Sequence, residues 1–208
     1  MFSLLSGPPA RDTVSLPLFP LRTVLFPGGL LPIKVFEQRY IDMVKRCLRD
    51  EQAFGVCLLT HGEEVAVAGQ RQQFATIGTM ARIVSWDMPQ LGILHVATEG
   101  GERFQVHRHA VQKDGLAVGE VTRLAPEPAV AIGEDYAPLA RLLELIATRI
   151  GAGNFPAEPR YDDGSWVGYR LAEVLPLPLR IKQTMLEVND ADVRLKVLLE
   201  FCSQQQLI

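Results

Sequence analysis

Apolar and polar residues change their period twice along this 208-residue chain. From Leu16 to Val35 the apolar positions are dense, and Pro17, Pro20, Pro27, Gly28, Gly29 and Pro32 break into them. Proline lacks an amide donor and fixes its own φ, so it suits edges and bends. Glycine admits backbone angles that other residues resist. The stretch predicts a chain that wraps a curved sheet and bends at set corners. Residues 36–48 then place Tyr40, Val44, Cys47 and Leu48 at i, i+4, i+7 and i+8, the stripe of an amphipathic helix. Arg39, Asp42, Lys45 and Arg46 lie off that stripe and are expected to face water.

Between 54 and 124 the pattern becomes that of short strands: FGVCLL (54–59), ATIGTMARIVSW (75–86), GILHVAT (92–98), RFQVHRHAV (103–111) and KDGLAVGEVTRL (113–124). Gly78 inside a β-branched run predicts a bulge or a close backbone approach. EGG at 99–101 predicts a turn between two strands, and Asp114-Gly115 predicts a hairpin. The period lengthens again after APEPAVAIGED (125–135), which reads as a linker. Leu139, Leu142, Leu143, Ile146 and Ile150 form a helical stripe, with Glu134 and Asp135 near its start and Gly151 as its C-cap. A loop follows at 151–164. Ser165 is expected to cap a short helix that runs through Val174 and stops at Pro176. Pro178 opens another to about Val188, and Asn189 and Asp190 punctuate the chain before a last helix to about Cys202. The fold class expected is α+β: an antiparallel β-barrel with one early helix over 1–124, then a C-terminal helical bundle over 125–208.

Composition bounds the function. Nearly half the residues (48%) are hydrophobic, enough for a substantial core, and the formal net charge of −3 gives no global pull towards nucleic acid or acidic lipid. A local basic patch stays open, because 16 of the 21 basic residues are Arg. Cys47, Cys57 and Cys202 are odd in number and far apart, so they read as reduced core thiols of a cytoplasmic protein and not as a zinc or redox motif. The start, MFSLLSGPPARD, has no basic residues before its short apolar patch and is not expected to be a signal peptide. No apolar run reaches the roughly 18 residues of a membrane span.

Catalytic equipment is sparse. The dipeptide Gly-Lys does not occur, so a phosphate-binding GxxxxGK[ST] loop is absent, and GAG at 151–153 follows a helix and lacks the third glycine of a dinucleotide fingerprint. His107 and His109 alternate and would share one strand face, but a metal needs at least a third ligand and only His95 and Glu102 are near in sequence. Asp162 and Asp163 are adjacent, which suits a turn better than acid–base work around a bond. Nothing in the sequence brings Ser165 to Lys182 as a nucleophile and base. Trp86 and Trp166 are not interleaved with Arg as in a base-stacking face. No cofactor and no metal is expected.

Four stretches carry a resemblance: LPLFPLRTVLFPGGLLPIKVFEQRYIDMV (16–44), IGTMARI (77–83), TEGGERFQV (98–106) and IKQTMLEVNDADVRLKVLLEF (181–201). In that order they resemble the N-terminal domain of Lon-type ATP-dependent proteases, with its LPLxPLR strand, xGTxAxI, xxGxxRFxV and KQxLLE…xxRLxxL ending. The resemblance implies a PUA-like barrel joined to a helical subdomain, together one domain, and a role in recognising protein substrates. Full proteases of this kind continue into an ATPase module and a Ser–Lys peptidase, which the resemblance does not reach; KDG at 113–115 matches three letters of the peptidase region without its serine. The chain is thus expected to be free-standing and not an enzyme. It would bind unfolded or specific protein segments and serve, as a quality-control adaptor, a separate ATPase or protease. A groove between barrel and helices is the expected site, lined by Phe36, Glu37, Arg39 and Tyr40 on one side and Phe155, Tyr161 and Trp166 on the other. Two alternatives stay open. One is RNA binding by the PUA-like barrel through Arg103, His107, Arg108 and His109; the other is a hydrolase with an unrecognised polar cluster.

Overall fold

Five strands close a circuit of pairings. β1 (Thr13–Leu21) pairs antiparallel with β7 (Ala117–Arg123), β7 with β6 (Ile93–Val111), β6 with β5 (Ile77–Gln90), and β5 with β3 (Phe54–His61). β3 then returns to β1 in parallel, with Leu18 opposite Gly55 and Leu21 opposite Leu58. β2 (Leu30–Val35) pairs with β6, and the short β4 (Gln73–Phe74) with β3, outside the circuit. The sheet is therefore not a wholly antiparallel barrel. Parallel neighbours need a long crossover, and the chain between β1 and β3 supplies it with β2 and helix α1 (Gln38–Arg49). These features come from a computed structural model, which describes residues 13–65, 72–151 and 155–208. The N-terminal segment read above as not being a signal peptide, and part of the 151–164 loop with its GAG, lie outside the described residues.

Four helices follow: α2 (Ala137–Ile150), entered through a 3-10 turn at Glu134–Tyr136, then α3 (Gly164–Val174), α4 (Leu179–Glu187) and α5 (Ala191–Gln204). Gly151 ends α2 with φ 87°, where a glycine is needed. The cap of α3 is Asp163 and not Ser165, which lies inside the first turn. The Asp163 carboxylate accepts from the amides of Ser165 (3.0 Å) and Trp166 (3.3 Å). Asp190 does the same for α5.

The two faces of the strands bury separate sets of side chains. Phe19, Phe54, Val56 and Ala81 turn to one face with Leu94 and Val96, where the stripe of α1 (Tyr40, Ile41, Met43, Val44, Cys47) covers them. Leu16, Leu18, Cys57, Met80, Phe104 and Val121 occupy the other. Gly78 is a close approach, as its place in the sequence predicts: a Cβ there would stand 2.4 Å from the Val56 carbonyl oxygen and 2.7 Å from the Phe104 ring. A third cluster holds the helices together, and Val24, Phe26 and Leu58 from the strand region belong to it.

The EGG turn does not form. β6 runs unbroken for 19 residues through Glu99, Gly100 and Gly101. Gly100 instead receives the corner that follows β1. The Gly28 amide donates to the Gly100 carbonyl (2.7 Å), and the Gly100 amide donates to the Gly29 carbonyl (2.8 Å). Gly28 holds the bend at φ 70°. On the far side of this corner, Arg170 of α3 donates to the Pro27 carbonyl (2.8 Å) and pairs with Glu173 (2.9 Å), while Phe26 packs on Tyr169 with ring centroids 5.7 Å apart. The Leu25–Gly29 corner is thus the joint between sheet and helices.

Candidate functional site

The joint opens into a cleft of about 380 Å³, lined among others by Pro27, Arg103, Glu127, Asp163, Trp166 and Tyr169. Its floor is a closed set of polar contacts. Glu127, only 3% exposed at its side chain, accepts from Arg194 at both oxygens (2.9 and 2.7 Å), from the Ser165 hydroxyl (2.7 Å) and from the Tyr169 hydroxyl (3.0 Å). Burial pushes the Glu127 carboxyl up, but the hydrogen bonds and charge of Arg194, with those from Ser165 and Tyr169, outweigh it and hold the group below the usual carboxylate range. The Arg194 guanidinium also lies over the Tyr169 ring, 3.9 Å from its centroid. Burial pushes the Tyr169 phenol up to about 12.

Two arginines from different parts of the chain finish α4. Arg194 donates to the carbonyls of Met185 (3.1 Å) and Val188 (2.8 Å), and Arg103 of β6 donates to that of Leu186 (2.8 Å) and to the Asn189 side chain. A helix leaves its last carbonyls without internal partners and carries partial negative charge there, so buried cations suit the place. The Ser165 hydroxyl is spent on Glu127, and Lys182 donates to the Glu173 carbonyl (2.7 Å). These contacts fasten linker, sheet and helices together. Among the described residues no cluster of three or more His, Cys, Asp or Glu is placed to hold a metal. The three cysteines are free and buried, and burial pushes the Cys57 thiol up to about 12.

The seven residues expected to line the groove fall in two separate groups. Phe155, Tyr161 and Trp166 form an edge-to-face cluster, with centroids 5.7 and 5.5 Å from Trp166, and Phe155 and Trp166 are buried. Tyr40 is buried under Phe19, stacked at 3.9 Å. Phe36 is the outward member at 52% exposure, and Glu37 is half-buried in an ion pair with Arg39 (3.1 Å). Arg39 does not face water. Its guanidinium lies over Tyr40 at 4.4 Å and donates to the Gly115 carbonyl (2.7 Å), tying α1 to the β6–β7 hairpin. The helical stripe placed Arg39 off the core, but a hairpin far along the chain covers it. Arg39→Ala is therefore expected to cost about 2 kcal/mol, or about 4–8 °C in Tm, measurable by thermal melting.

The side chains of the basic stretch on β6 are engaged in place. Arg103 is buried on α4, Arg108 pairs with Glu120, His107 is bonded to Thr122 (2.8 Å), and the His109 ring lies 4.8 Å from Phe74.

A different surface escaped the sequence reading. β5 and β6 extend beyond the closed circuit as a hairpin, and β2 lies along the other side of β6. On β5, Val84, Trp86 and Met88 stand at every second position, exposed by 45%, 54% and 38%, and Leu91 at the tip is 92% exposed. A shallow cleft of about 450 Å³ runs along this arm past Ile33, Lys34, Trp86, Asp87 and His95. The strand run 75–86 already contained Val84 and Trp86. What it could not show was that no core would cover them.

The model of the ATP-dependent protease La (LON) substrate-binding domain family matches residues 15–204. The chain belongs to this family. A Lon N-terminal domain protein from Xanthomonas campestris is 36% identical and superposes with a TM-score of 0.72, covering 90% of this chain and 98% of that one. The N-terminal domain of a Mycobacterium avium complex Lon protease shares the fold, with a TM-score of 0.62 at 21% identity over 91% of this chain and 98% of that one. Lon protease 2 of Myxococcus xanthus is 30% identical over 93% of this chain but only 24% of its own length. The Lon substrate-binding-domain chain thus spans about a quarter of the length of such curated relatives, within their N-terminal part. No helix among its described residues is long and apolar enough to cross a membrane.

Proposed function

We propose that this chain is a non-catalytic recognition module that binds extended, apolar protein segments in the cytoplasm and presents them, as an adaptor, to a separate ATPase or protease. The row of exposed apolar residues on the β5–β6 arm carries this reading, in a chain of a substrate-binding family. Folded partners bury such residues, and their clustering on an arm marks a contact surface. The parts 1–124 and 125–208 act as one unit in this reading, because the Leu25–Gly29 corner is bonded to both. Phe36 and Glu37 at the start of α1 offer a second, smaller contact area. The saturated cations of β6 leave little to hold phosphates, whose contacts dominate nucleic-acid affinity.

A titration with a permanently unfolded, reduced and alkylated protein tests this at low and at high ionic strength. Binding that persists in high salt is the expected result. No binding, or binding only of RNA that vanishes with salt, would overturn it.

A further inference from the structure

The arm holds more than apolar side chains. β5 pairs with β3 only through Thr79, Met80 and Ala81. From Arg82 onward, among the described residues, its only strand partner is β6, so its other edge is open. The residues from Val84 to Gln90 are all exposed, as is Arg82. The open run ends where the Asp87 carboxylate takes up the Met88 amide (2.8 Å) and Pro89 brings no donor. One register shift, between Ile83 and Ser85, lies inside the run and leaves Val84 as a bulge, and another, between Asp87 and Gln90, closes it. Natural sheets blunt such edges with charges, most often lysine, and with bulges and proline, of which this edge has the bulge at Val84 and Pro89. Here the run between Arg82 and Asp87 is Ile, Val, Ser and Trp, and Arg82 is already paired with Glu99.

We infer that the edge Arg82–Asp87 is where an extended polypeptide adds to the sheet as a further strand. The inference rests on the recognition role proposed above and names its site and mode. Unpaired strand amides and carbonyls in alternation are matched by one chemistry, an extended backbone. Side chains of the added strand would alternate between the two faces of the sheet, so apolar residues at every second position would lie beside Trp86 past the bulge. A second copy of this chain is a poorer occupant. Six residues at about 3.3 Å each span about 20 Å, and an edge contact of that length buries on the order of 400–500 Å² in total. A stable dimer needs roughly 1,200 Å² or more. A segment that is held transiently and passed on needs no such area.

The test uses the whole chain and a synthetic peptide of about six residues, the length of the open edge, with Val at alternate positions and Thr between. Two further versions carry backbone N-methyl groups on one or the other alternate set of amides. Strand addition predicts that one methylated version loses affinity about tenfold or more while the other is nearly unaffected. It also predicts that hydrogen exchange slows at amides within 82–87 when the unmodified peptide saturates. Equal affinity of all three peptides, or protection confined to other segments, overturns strand addition and leaves the recognition role standing. Protection of 82–87 that grows with protein concentration in the absence of peptide overturns it in favour of self-pairing. Failure of every apolar peptide and of the unfolded protein to bind overturns both.

Discussion

Arg194→Met is expected to destabilise the fold by about 3–5 kcal/mol, lowering Tm by about 10–15 °C. The substitution keeps most of the side chain's volume but strands three things at once. Glu127, almost fully buried, loses both guanidinium bonds. The Met185 carbonyl loses its donor, and that of Val188 keeps only the longer bond from Arg103 (3.4 Å). Tyr169 loses the cation over its ring. Removing one member of a buried pair costs more than the pair contributes, because the remaining charge has no solvent to turn to. Glu127→Gln in the Arg194→Met background should therefore recover part of the loss, and a double-mutant cycle on denaturant unfolding measures the coupling. Additive losses would show that Glu127 and Arg194 do not act as a pair.

The same carboxylate sets an acid limb. The folded-state pKa of Glu127 lies below its unfolded value, so its stabilising effect is fully present above the unfolded pKa, roughly 4.3 for a glutamate. It is lost as pH falls through the folded value. The wild-type Tm should drop over that window, and Glu127→Gln, lower at neutral pH, should show a shallower drop there.

Gly100→Ala is expected to be nearly as damaging for a steric reason. The added Cβ would sit 2.2 Å from the Phe26 carbonyl oxygen, a backbone atom held by its own corner. Either β6 or the joint must shift, and the two bonds between Gly100 and the Gly28–Gly29 pair stretch with it. Overpacking of this kind costs about 1–3 kcal/mol or more; since backbone and not a flexible side chain must yield, we expect about 3 kcal/mol or more and a Tm fall of about 6–12 °C. Gly28→Ala is a useful contrast. No heavy atom lies within 4 Å of a Cβ there, so only the left-handed φ penalises it, by about 1–2 kcal/mol. If melting curves show Gly28→Ala to be the worse of the two, the joint is held by conformation and not by contact.

These two cases show how the sequence can be read and misread. The glycines of EGG were visible as an irregularity in a strand run, and the local rule assigned them to a turn. The irregularity was real, but its cause was a corner some 70 residues earlier pressing on the strand. Arg39 was placed on the wet face by helical period alone, and a hairpin ending at Leu116 covers it. Ser165 is a good capping residue by type, but Asp163, two positions earlier, has the extended backbone that a cap requires. Cys47, Cys57 and Cys202 are buried thiols, as their spacing predicts, since burial of a small apolar side chain needs no particular partner.

The order of strands before helices, the bends at Pro27 and Gly28, the close approach at Gly78, the Gly115 hairpin and the family itself were determined by the sequence alone. Each depends on local backbone chemistry or on residue order, which the chain carries wherever it goes. The tertiary structure alone decided which charges are buried, why Gly100 must be bare, and which edge of β5 stays open. Those depend on what packs against a residue from far along the chain, and hydrophobic period records that a side is covered or bare without recording by what.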